Sequence, residues 1–164
     1  MLISFDNMPS YARIWVYQAD RSLTSSEILA IEQYLSNQVA DWAAHGAPLA
    51  GSFQVLHQRF VIVAVDEKQN AASGCSIDAS TRWLKDLGQN LAINFFDRSI
   101  AYWHNNSIQT VEMLKIKPLV AEGIITPDTI IFNNLVANID DFQAKWQVKA
   151  GDSWMDRYFK TATA

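Results

Sequence analysis

A chain of 164 residues that is 49% hydrophobic and 18% charged has the length of one domain and enough apolar side chain to close a core, which excludes wholesale disorder. A net charge of −4 with scattered Lys and Arg excludes a duplex-DNA footprint, and the longest apolar run, Phe60 to Val65, falls far short of the roughly 20 residues that cross a bilayer. The single cysteine, Cys75, forms no internal disulfide, and Met1 to Asp6 lacks the basic and long apolar segments of a signal peptide, so the expected setting is cytoplasmic and soluble.

Arg13 to Gln18 reads as a strand, because Ile14, Trp15, Val16 and Tyr17 are branched or aromatic and apolar on both faces, as in the centre of a sheet. Thr24 with Glu27 three residues on spells a capping box, and Ile28, Ile31, Leu35, Val39 and Trp42 recur at helical spacing up to a stop at Gly46. Ser52 to Leu56 alternates like an edge strand and Arg59 to Val65 is continuously apolar like an interior one, which predicts a hairpin. After the polar stretch from Asp66 to Gly74, Ser76 or Asp78 caps a second helix with Ile77, Leu84, Leu87 and Leu91 toward the core, and Ser99 to His104 makes a fourth strand.

This β-α-β-β-α-β order is that of the ferredoxin-like split βαβ fold, an α+β class with an antiparallel sheet whose first and third strands are central. The remainder reads as a C-terminal β/α extension: a strand at Ile108 to Glu112, a helix near Leu114 to Glu122, an apolar Thr129 to Phe132, and a helix around Asp140 to Trp146. The expected organisation is a single domain over 1–164, with a core of about 10–112 and the extension over about 113–160. Trp146, Trp154, Tyr158 and Phe159 in that extension are expected to cover the sheet face bearing Trp15 and Tyr17.

Several motifs bear on chemistry. Gly46-Ala47-Pro48-Leu49-Ala50-Gly51-Ser52-Phe53 has the glycine spacing of a phosphate-cradling loop, but Ser52 stands where the lysine belongs and Phe53 where the magnesium hydroxyl belongs, so no ATP site is expected and the segment reads as a helix stop. His45, His57 and His104 share no ligand spacing, so no metal site is expected. Arg13, Trp15, Tyr17, Phe60 and Ile62 on one sheet face would resemble the stacking platform of an RNA-recognition module, without its glycine-bearing signature. Ser73-Gly74-Cys75-Ser76-Ile77-Asp78 places a thiol and small polar residues at a helix N-terminus, where free N–H groups and the dipole favour an anion or a thiolate.

Met8 to Gln18, Ser73 to Asp78 and Thr126-Pro127-Asp128-Thr129-Ile130-Ile131-Phe132-Asn133-Asn134-Leu135 together resemble a family of short, uncharacterised bacterial proteins, over nearly the whole chain. Members often carry the label "ABC transporter ATPase", which implies ATP hydrolysis at Walker motifs. This sequence has neither a Walker A lysine nor an LSGGQ-like signature, so the resemblance implies a cytoplasmic bacterial class and no catalytic residue.

The resulting expectation is a non-catalytic binding module that holds a partner protein or a small anionic ligand at Ser73, Gly74, Cys75, Ser76 and Asp78. The alternative is a thiol enzyme with Cys75 as nucleophile and a base such as His45 or His104, and a weaker one is single-stranded nucleic-acid binding on an open sheet face. The residues call for no cofactor, and they leave the oligomeric state open.

Overall fold

The computed structural model describes residues 1–68 and 74–162, the side chains of 74–77 and 161–162 excepted. The chain is α+β and divides into two compact units, Met1–Asp97 with Asn134–Gln143, and Arg98–Asn133 with Ala144–Ala164. The chain leaves the first unit after Asp97, returns to it at Asn134 and leaves it again after Gln143.

In the first unit, β1 (Arg13–Gln18), β4 (Ala50–Leu56) and β5 (Phe60–Asp66) form an antiparallel sheet in the order β1-β5-β4. As its continuous apolar run predicts, β5 is the interior strand, and its residues from Phe60 to Val65 are all buried. Helix α1 (Ser25–Ala40) links β1 to β4 and begins with the expected capping box: Thr24 Oγ1 accepts from the Glu27 amide, and the Glu27 carboxylate accepts from the Thr24 amide. The Arg21 guanidinium also forks onto Glu27 at 2.9 and 2.7 Å, fixing the start of the helix.

Contrary to the sequence expectation, α1 stops at Ala40, and Gly46 is not its stop signal. Residues β2 (Ala43–Ala44) and β3 (Ala47–Pro48) pair around His45 and Gly46, whose φ values of 52° and 81° are those of a tight two-residue hairpin turn. The apolar spacing misled because Trp42, 3% exposed, reaches the same core from beyond the helix, packing edge to face on Trp83 with centroids 5.0 Å apart. Gly51 lets β4 approach this corner: a Cβ there would lie 3.0 Å from both Trp42 and Val39 side-chain carbons.

The register pairs Trp15 with Val63 and Tyr17 with Val61, so Arg13, Trp15 and Tyr17 share a face with Val61, Val63 and Val65. Phe60 and Ile62 project to the opposite face, and the aromatic platform proposed from the sequence does not form. Nor is the Trp15 and Tyr17 face left for a C-terminal extension: it packs on α1 and on α2 (Gly74–Leu91) through Ile31, Leu35, Val39, Trp83, Leu84 and Leu87. Two helices laid on one face of a sheet bury the aromatic side of β1 within the unit itself.

The fourth strand expected in this sheet departs. It is β6 (Ile100–His104), and it belongs to the second unit, in a sheet of order β7-β6-β8-β9 with β7 (Ser107–Val111), β8 (Ile130–Phe132) and β9 (Gln147–Lys149). The outer edge of β1 is met instead by residues 137–138: the Ile14 amide donates to Ala137 O at 3.0 Å, and Arg13 bridges Asn138 antiparallel. That contact covers the start of the outer edge of a strand whose composition reads as central while its sheet ends there.

The second unit also holds α3 (Ile116–Ala121), and α5 (Asp156–Ala162) closes it, while α4 (Ile139–Lys145) carries the chain from the first unit into the second. Its core joins Tyr102, Val111, Ile116, Ile125 and Ile131 to Ala150 and Met155, with Tyr158 and Phe159 packed alongside. Tyr158 and Phe159 thus pack on the core of their own unit, whereas Trp154 is exposed. Among the described residues no helix is long and apolar enough to cross a membrane.

Candidate functional site

The segment singled out in the sequence opens α2. The helix begins at Gly74, so Ser76 and Asp78 stand inside it and are not its caps. Ser73 lies outside the described residues, as do the side chains of Cys75 and Ser76; Asp78 is exposed to solvent. One turn further in, α2 is tied to the sheet by a buried hydrogen bond of 3.0 Å between Ser80 Oγ and Tyr17 Oη. Burial raises the Tyr17 phenol while the bonds from Ser80 and Thr81 oppose it, so the hydroxyl stays protonated and serves packing.

Where β5 ends beside the start of β1, Tyr11, Arg13, Glu67 and Lys68 line an open groove of about 380 Å³. The antiparallel register makes this corner, because it sets Arg13 opposite Val65 and so brings the start of β1 beside the end of β5. Two cations lie over two aromatic rings: the Arg13 guanidinium is 5.0 Å from the Trp15 centroid, and the Lys68 ammonium is 5.1 Å from that of Tyr11. Ring faces attract a cation without using its N–H donors, so each charge is positioned and still able to bind an anion.

The acidic residues of the corner hold its shape. Asp66 accepts from the Lys68 amide at 2.9 Å and from Tyr11 Oη at 3.4 Å, and partial desolvation together with the Asp66 charge raises the Tyr11 phenol. Arg13 Nη1 reaches Glu67 Oε1 at 3.4 Å, with 46% of the Arg13 side chain exposed. A single long contact in water contributes little, at most about 1 kcal/mol, and among the described residues it is the only hydrogen bond the guanidinium makes.

The histidines are spread over turns and a strand end. His45 sits in the β2–β3 turn, His57 in the β4–β5 turn where burial lowers its pKa, and His104 ends β6 in the second unit. Among the described residues, no group of three His, Cys, Asp or Glu side chains is placed to hold a metal ion. The alternative pairing of Cys75 with His45 or His104 as its base lies outside the described residues, as the Cys75 side chain does.

Sequence reading passed over Tyr11, Glu67 and Lys68. Arg13 and Trp15 were visible as neighbours on one strand face, two residues apart, but the Lys68 and Tyr11 pairing joins distant positions and depends on the β1–β5 register. Comparison of the chain with protein-family models, with curated proteins and with solved structures finds no match in any of the three.

Proposed function

We propose that the protein is a non-catalytic binding module that takes a small anionic ligand, or an acidic side chain of a partner protein, at the corner where the end of β5 lies beside the start of β1. The observation that carries this reading is the groove in which Arg13 and Lys68 each lie over a ring, the Arg13 guanidinium making one long hydrogen bond among the described residues. A carboxylate or phosphate entering there exchanges one long Arg13–Glu67 contact for a two-pronged, charge-assisted one.

The same reading takes the β1-β5-β4 order as a ferredoxin-like split βαβ unit whose fourth strand has been given to the second sheet. It also keeps the protein in the cytoplasm, where a lone Cys75 needs no partner.

The test is an NMR titration with inorganic phosphate and then phenyl phosphate, following Trp15 Nε1–H, Arg13 Nε–H and the Lys68 amide. Saturable shifts confined to these groups, lost in Arg13→Ala, are expected. Shifts that do not saturate, or that survive Arg13→Ala, sink the groove as the site. The thiol-enzyme alternative is separated by iodoacetamide: slow alkylation of Cys75 at neutral pH is expected, and rapid alkylation would favour the enzyme.

A further inference from the structure

Gln18, the last residue of β1, is only 2% exposed, and its side-chain amide has a partner on each side. Gln18 Nε2 donates to Asp97 Oδ2 at 3.2 Å, and Asn134 Nδ2 donates to Gln18 Oε1 at 2.8 Å. A carboxylate only accepts, so Asp97 fixes which end of the amide is nitrogen, and the oxygen is thereby turned toward Asn134. The Asp97 amide also donates to Gln18 O at 3.2 Å, and Phe96 bridges Gln18 in parallel.

Asp97 is the residue at which the chain leaves the first unit, and Asn134 is the residue at which it returns. We infer that Gln18 is a latch within the first unit that holds the exit and the return of the 98–133 excursion together, so that loosening one loosens the other. An isolated surface bond at either crossing would act on that crossing alone. A single buried amide shared by both couples them, because removing either partner leaves half of the Gln18 amide to find a new one and releases its rotamer. This inference is independent of the anion groove, which uses neither residue.

Amide hydrogen exchange by NMR reads both crossings. The residue 97 amide, bonded to Gln18 O, reports the exit, and the Ile14 amide, bonded to Ala137 O, reports the returning segment. Gln18→Met keeps the side-chain volume and removes both bonds, and it is expected to quicken both reporters about tenfold while the Val61 and Val63 amides of β5 stay as in the wild type. Because Asp97 and Asn134 are partly exposed, Asp97→Ala and Asn134→Ala decide the matter even if Gln18→Met does not fold. Asp97→Ala is expected to quicken Ile14, Asn134→Ala to quicken residue 97, and the double variant to add little to either. If each single variant affects only its own side, or if the two effects simply add, the latch is wrong.

Discussion

Gly88→Ala tests how α2 ends. In an exposed helix interior this change stabilises by up to about 1 kcal/mol, since alanine loses less backbone entropy. Here the chain turns back over the glycine: Ala92 takes a φ of 54°, and the Ile93 amide donates to Gly88 O at 3.0 Å, six residues to one, as in a Schellman end. A Cβ on residue 88 would stand 2.5 Å from Ile93 O, against about 3.3 Å or more for an ordinary carbon to oxygen contact. The obstacle is backbone, and Ile93 and Phe95 beyond it are 5% and 1% exposed, so the turn cannot swing outward without opening the core. Overpacking of this kind costs about 1–3 kcal/mol, and loss of the closing hydrogen bond about 1 more, which outweighs the propensity gain. The expected net loss is about 1–3 kcal/mol, with the melting temperature falling about 2–4 °C per kcal/mol for a chain of this length. Thermal melts by circular dichroism and urea midpoints measure it. A Gly88→Ala protein as stable as the wild type, or more so, would refute the argument.

Ala92→Gly at the same turn should act oppositely, raising stability by up to about 1 kcal/mol in the same urea assay, because glycine occupies positive φ without strain. Glu27, held by the Arg21 guanidinium and then by the Thr24 amide, has its carboxyl pulled down to about 2. Its folded-state pKa lies below the unfolded one, so its contribution is complete above about pH 4.5 and is lost as pH falls through about 2; Glu27→Gln should flatten the urea midpoint over that window, and an unchanged slope would count against the fork. A chain ending at Ala137 removes Ala150 and Met155, both 0% exposed, from the second unit's core, and it should be insoluble or lose that unit's cooperative unfolding. If its β6 amides stayed protected, the C-terminal segment would be dispensable.

Local signals were legible where a few neighbouring residues decide the outcome. The Thr24 and Glu27 capping box starts α1 where expected, and the alternating and continuous apolar patterns gave β4 its edge place and β5 its interior one. Boundaries were less legible, because Trp42 continues the apolar spacing of α1 while its backbone has already turned toward the His45-Gly46 hairpin. Spacing reports which side chains are buried, and a buried side chain can reach the core from a turn as well as from a helix.

By itself the sequence determined the α+β class, the runs that become strands and helices, and the lack of a phosphate-cradling lysine in the Gly46 to Phe53 segment. Only the tertiary structure decided that Ile100–His104 joins a second sheet, that Phe60 and Ile62 face away from Trp15, and that Lys68 comes to lie over Tyr11. A strand's composition records that its faces are buried, but not which partner meets its edge: β1 reads as central, yet its outer edge is met by residues 137–138 at Arg13 and Ile14 and by residues 96–97 at Gln18. Partner choice and register are long-range properties, set by which pairing buries the most apolar surface with every backbone group satisfied, and a shift of one residue exchanges the two faces. For the same reason the groove at Arg13 and Lys68 had no signature along the chain; it exists only once β1 and β5 lie in that register.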